Sequence, residues 1–286
     1  MLVLTATWGI QLSLVKIALP ELSAIMQSLI RAVLSTALLS IYMIARGESL
    51  LGSPAERPAG VIVGVLFALE FLLLFVGLGH TTAARGVVFF YTMPFFVAAG
   101  AWLFLKAERL RPLQWLGLAV AFGGVAFAFA DGLRAGSGAP TLFGDTLMIG
   151  AAIAWAATTI VLKSSPLAAA PATRVLWYQL ALSIPVSALA AAAAGEGMPA
   201  WQVSATTLAI VVFQSVWVAF VTYLVWFALI QRHSASVLST FSFLTPLFGV
   251  AAGHFILGET IGWTLGMALG LVIAGLVLVN RRPRRG

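Results

Sequence analysis

Apolar runs of about twenty residues follow one another along almost the whole chain, separated by links of a few polar residues. Each run is long enough to cross a hydrocarbon core of about 30 Å. Inside such a core every backbone N–H and C=O must find a partner within the protein, so runs of this kind fold as helices. Windows of about 19 residues place ten spans near 2–19, 22–45, 59–78, 83–105, 112–130, 142–163, 171–194, 205–230, 235–257 and 262–280. The chain is 61% hydrophobic and 9% charged. A soluble domain carries about 25% charged residues, so this chain cannot cover itself with a polar surface. The expected class is an all-α polytopic membrane protein with no soluble domain.

The positions of the charges say more than their sum. The net charge of +7 would suit nucleic acid. However, with the N-terminus inside, the inner links and tail carry Arg46, Arg57, Lys106, Arg109, Arg111, Lys163, Arg174, Arg232 and the Arg281–Arg285 cluster. The outer links carry Lys16, Arg85 and Arg134. That bias is the positive-inside pattern and puts both termini in the cytoplasm, with the basic tail beside anionic lipid rather than nucleic acid. There is no Cys, hence no thiolate nucleophile or ligand. The three His are scattered with no His-Glu-x-x-His spacing. We therefore expect no metal, no cofactor and no enzymatic activity.

One design occurs twice. Gly86–Glu108 reads as small and aromatic residues, Met93-Pro94-Phe95-Phe96, an apolar run with Gly100, then Lys106-Ala107-Glu108. Leu238–Glu259 repeats it with Leu244-Thr245-Pro246-Leu247, Gly249, Gly253 and Gly258-Glu259. A tryptophan (Trp115, Trp263) and a glycine-bearing apolar segment follow each copy. Trp8 with Lys16 opens the first half, and Trp155 with Lys163 opens the second. The halves are 1–131 and 132–286, joined by the polar link Asp131–Pro140, with five spans each. Because five is odd, the second copy enters from the opposite side. Such inverted repeats are a recurring build of secondary transporters, with the site near the midplane between the copies.

Trp8-Gly9, Ile30-Arg31-Ala32, the two Pro-to-Glu units and the glycine-rich closing spans resemble the drug/metabolite transporter superfamily. Within it the chain is similar to the ten-helix EamA-type exporters, and most similar to the YddG-like exporters of aromatic amino acids. The resemblance implies ten helices around a central cavity formed mainly by spans 1, 3, 4, 6, 8 and 9, with spans 5 and 10 peripheral.

The residues that stand out inside the spans are those hydrocarbon does not favour. Trp8 and Trp155 sit away from the interfacial belts where Trp collects. With Gln11, Tyr91, Thr158, Gln214, Trp217, Ser239 and Phe243 they describe a pocket with aromatic walls and a few neutral hydrogen-bonding groups. The competing reading is that each ring merely fills space between helices. Gln214 and Trp217, three apart, are expected on one helix face. Pro94 and Pro246 occupy matching mid-span positions and are either hinges or static kinks. Arg31 and Glu70 are the deepest charges, and a charge at mid-bilayer normally faces a partner or a wet cavity. They form either a structural pair locking spans 2 and 3, or a coupling site at Glu70 with Arg31 holding a substrate carboxylate.

Glu108 and Glu259, at span ends, are expected to cap the helices that follow them. Asp145 is expected to complement the N-terminal dipole of span 6. Gly262, Gly266 and Gly270, spaced by four, are expected to allow close helix approach within the chain, or between two copies.

The function expected is facilitative or exchange export of small metabolites across a bacterial inner membrane by alternating access, amino acids and especially aromatic ones first. Proton-coupled export of cationic drugs is the alternative. Partners are the substrate and the bilayer, and the protein is a monomer or weak homodimer.

Overall fold

The computed structural model describes residues 1–104, 112–134, 138–196, 203–232 and 244–280. Among these residues the secondary structure is helical throughout, without strands. The elements are α1 (Leu2–Ala18), α2 (Ala24–Ala45), α3 (Arg57–His80), α4 (Ala83–Phe90), α5 (Met93–Phe104), α6 (Pro112–Arg134), α7 (Gly138–Lys163) and α8 (Ala172–Ala193). They are followed by α9 (Ala205–Val212), a π-helical segment (Phe213–Thr222), α10 (Tyr223–Arg232), α11 (Leu244–Leu257) and α12 (Trp263–Asn280). Among the described residues six helical runs are long and apolar enough to cross a membrane: Ala24–Ala45, Arg57–His80, Ala83–Phe104, Thr141–Lys163, Ala172–Ala193 and Ala205–Trp226. Four further apolar helices are shorter: Leu2–Ala18, Pro112–Ala128, Leu244–Leu257 and Trp263–Leu278. The protein is a multi-pass membrane protein.

The packing follows from where the small residues lie. A Cβ on Gly64 would meet Tyr178 O at 2.5 Å, and one on Gly144 would meet Gly77 O at 2.8 Å. Glycine therefore lets α3 lie against both α8 and α7. The closing helices α6 and α12 pair through Gly124, Gly117 and Gly275, where a Cβ on Gly275 would meet Gly117 O at 2.6 Å. This corrects the sequence expectation. Gly266 and Gly270 have no described atom within 4 Å of a built Cβ, and Gly262 meets only Thr264. The regular four-residue spacing is thus not the face that brings these helices together.

Pro94 behaves differently from a simple kink. Pro94 has no N–H to donate and its ring would clash one turn back. The helix therefore stops at Phe90, turns at Tyr91-Thr92 and restarts at Met93, with Pro94 in the tolerated second position. Thr92 closes the gap, its hydroxyl donating to Phe89 O at 2.6 Å and its carbonyl accepting from Phe95 N at 2.9 Å. Pro246 lies in the described part of α11, two residues after Leu244. The interior proline among the described helices, Pro185 in α8, was not singled out by the sequence.

On the face where α1 begins, the α2–α3 link is tied to the start of α8. Arg174 Nη1 donates to Glu56 Oε2 at 2.8 Å, Arg174 Nε to Ser49 O at 3.1 Å, and Tyr178 OH to Leu51 O at 2.7 Å. The Arg174 hydrogen bond, assisted by Ser53, holds the Glu56 carboxyl below the usual carboxylate range. A carboxyl depressed in the folded state stabilises above its unfolded value of about 4.3, and that stability is lost as the pH falls through the folded value. In detergent melts, Glu56→Gln is expected to unfold below wild type at neutral pH, and the gap is expected to close as the pH drops below about 4. A gap that persists in acid would remove Glu56 from this tie.

Candidate functional site

A cavity of about 130 Å³ lies in the middle of the bundle. A cavity of about this size takes up a single benzene-like ring. Among the described residues its wall is built by Trp8, Gln11 and Leu12 of α1; Glu70, Phe71 and Leu74 of α3; and Phe90, Tyr91 and Met93 at the α4–α5 break. Trp155 of α7, Tyr223 and Trp226 of α10, and Thr245 of α11 complete it. Among the described residues, helices α6 and α12 contribute nothing to it.

The rings are held in defined orientations. Trp8 donates from Nε1 to Thr222 Oγ1 at 2.9 Å. That bond leaves its ring against Trp226 edge-to-face at 5.5 Å and against Tyr223 tilted at 6.1 Å. Tyr91, the first residue of the helix break, lies in the cavity wall. Tyr223 and Trp226 are presented after the ten-residue π segment, whose i→i+5 winding widens the turn and shifts the register of everything beyond it. Such segments are frequent at functional sites.

Of the residues expected in the pocket, Trp8, Gln11, Tyr91 and Trp155 line the cavity together, and Glu70, expected as one of a charge pair or as a coupling site, lines it with them. Others do not. Thr158 bonds back to Ala154 O. Gln214 is buried and donates to Gln27 Oε1 at 3.3 Å. Trp217 is 38% exposed and donates to Thr7 Oγ1 at 3.2 Å. Gln214 and Trp217 therefore do not share a face, because the helix between them is wound as π and not as α. Ser239 and Phe243 lie outside the described residues.

Arg31 and Glu70 are both buried, but they are not an ion pair. Arg31 lays its guanidinium over the Phe71 ring, 3.7 Å from the centroid, and its Nε and Nη2 have no hydrogen-bond partner. Both carboxylate oxygens of Glu70 likewise have none. Phe71, itself part of the cavity wall, carries the Arg31 contact.

The face opposite the start of α1, called here the far face, carries a network of charges. Glu259 accepts from Ala83 N at 2.7 Å and Ala84 N at 2.8 Å. Lys16 Nζ donates to Thr81 O at 2.6 Å and lies 3.6 Å from Glu259. Asp145 accepts from the Thr81 hydroxyl at 2.6 Å and pairs with Arg85, which also reaches Ala128 O at 3.1 Å. Two sequence expectations are corrected here. Glu259 caps the N-terminus of α4, not the helix that follows it, because a carboxylate is stabilised by any free first-turn N–H groups within reach. Asp145 lies well inside α7 and serves Arg85 and Thr81 instead of its own helix end. Among the described residues no group of three or more His, Asp or Glu is placed to hold a metal ion.

Comparison with known proteins agrees with this architecture. A sequence model of the EamA-like transporter family matches residues 1–130 and 142–281. The uncharacterized transporter YvbV of Bacillus subtilis is 26% identical over 98% of this chain and 90% of its own length. The "Probable amino-acid metabolite efflux pump" of Salmonella typhimurium is 25% identical over 97% and 90%. A riboflavin transporter of Rhizobium johnstonii is 27% identical over 77% and 69%. A solved crystal structure superposes with a TM-score of 0.66 over 96% of this chain and 94% of its own, at 19% identity, and so shares the fold. The chain belongs to the EamA-like transporter family.

Proposed function

We propose that this protein exports small metabolites, aromatic amino acids first, across a bacterial inner membrane by alternating access, through facilitated diffusion or exchange. The observation that carries the reading is the mid-bundle cavity walled by Trp8, Tyr91, Trp155, Tyr223 and Trp226. Ring-on-ring contact adds about 0.5–1.5 kcal/mol beyond burial, which suits planar side chains. Gln11 and Thr245 supply neutral hydrogen-bonding groups. The relative named as an amino-acid metabolite efflux pump is in keeping with this substrate class, and the one named for riboflavin with a planar cargo.

In this reading residues 1–131 and 132–286 are inverted repeats and the termini are cytoplasmic. The far face is then the outside, where Lys16, Glu259, Arg85 and Asp145 tie the helix ends together. Opening bends the chain at Pro94 and Pro246.

The test is a panel of radiolabelled amino acids in counterflow with proteoliposomes, with tryptophan fluorescence as a binding readout. Saturable flux of phenylalanine and tryptophan is expected, reduced by about tenfold or more in Trp8→Ala and Trp155→Ala, as for other central aromatic anchors. Flux indifferent to both substitutions, or no saturable flux of any amino acid, would remove the cavity from the pathway.

A further inference from the structure

Glu70 is the one charged residue among the described residues that line the cavity. Its side chain is fully buried, and neither oxygen has a hydrogen-bond partner. A bare carboxylate in an apolar, low-dielectric setting is costly unless an opposite charge meets it. No direct partner meets it: the nearby guanidinium of Arg31 is stacked on Phe71 and forms no ion pair with Glu70. The rings of Trp8, Tyr223 and Trp226 line the same cavity, in edge-on or tilted contact with one another. Ring faces attract a cation, and more strongly where water is excluded. Once ionised opposite an ammonium, that carboxylate also disfavours an anion in the same cavity.

We infer that Glu70 selects the substrate by taking up a protonated amine, and that the cavity accepts compounds bearing an ammonium group on an aromatic or apolar body whether or not they carry a carboxylate. The inference rests on the cavity being the transport site. It goes beyond that reading because it moves the selecting feature from the amino-acid backbone to the amine alone.

Three compounds with the same ring separate the possibilities: phenylalanine, phenethylamine and 3-phenylpropionate, assayed by counterflow in proteoliposomes. Wild type is expected to carry the first two and to exclude the third by about tenfold or more. Glu70→Gln is expected to lower flux of the two amines by about ten- to a hundredfold, the range of a charge-assisted bond, while Glu70→Asp keeps part of it. Selectivity of the wild type needs no variant, so poor folding of Glu70→Gln leaves the first arm intact. Carriage of 3-phenylpropionate equal to that of phenethylamine overturns the inference. So does a well-folded Glu70→Gln within about twofold of wild type while Trp8→Ala still loses flux. In both cases the cavity stands as the pathway. If none of the three compounds moves, the transport reading fails and this inference fails with it.

Discussion

Asp145→Ala is expected to destabilise the protein by about 3–5 kcal/mol, the cost of removing one partner from a buried ion pair. The Asp145 side chain is wholly buried and that of Arg85 is 11% exposed. Without the carboxylate, Arg85 keeps Ala128 O alone among its described side-chain contacts other than the Phe89 ring, and the Thr81 hydroxyl loses its acceptor. The loss is expected as a lowered unfolding midpoint in detergent. Asp145→Asn, which still offers an acceptor, is expected to lose less. Pairing Asp145→Ala with Arg85→Met removes the stranded charge and is expected to recover part of the deficit. A single-variant loss below about 1 kcal/mol would mean that the pair is solvated like a surface bridge and does not hold the far face.

Gly9→Val is expected to have the second-largest effect, and to reach transport as well as stability. A Cβ on Gly9 would stand 2.7 Å from Gly249 N and 2.8 Å from Thr245 O. These are backbone atoms and cannot swing aside, so α1 and α11 must separate. Overpacking of this kind costs about 1–3 kcal/mol. Trp8 and Gln11 sit on the same turns of α1, so the displacement also carries them off the cavity wall and strains the Trp8–Thr222 bond. Flux in proteoliposomes is therefore expected to fall together with the melting point. Gly266→Ala is the matched control: no described atom lies within 4 Å of its Cβ, so it should leave flux unchanged. Equal behaviour of the two variants would show that the α1–α11 contact tolerates separation.

The fold class and four residues of the cavity wall were legible in the sequence, with Glu70 legible as a buried charge, because each is an anomaly in hydrocarbon. Twenty-residue apolar runs admit helix only. Trp8, Trp155, Gln11, Tyr91 and Glu70 stand out inside such runs against composition alone. Tyr223, Trp226 and Thr245 did not stand out. The first two reach the cavity through a π segment, which a 3.6-residue period cannot anticipate and which also parted Gln214 from Trp217. The Glu259 contact was invisible for a different reason. Proximity in sequence pointed to the next helix, whereas the free N–H groups that bind it lie 176 and 175 residues earlier. Asp145 was read as a dipole partner on the same grounds, although its partner Arg85 is 60 residues away.

The cap on α4 also bears on the genetics of this protein. The entrance of that helix and the glutamate that satisfies it were laid down in different halves of the gene. Damage at position 259 and damage at the first turn of α4 are therefore one lesion, and epistasis between them is built into the architecture. Second-site revertants of either belong at the other end of the chain.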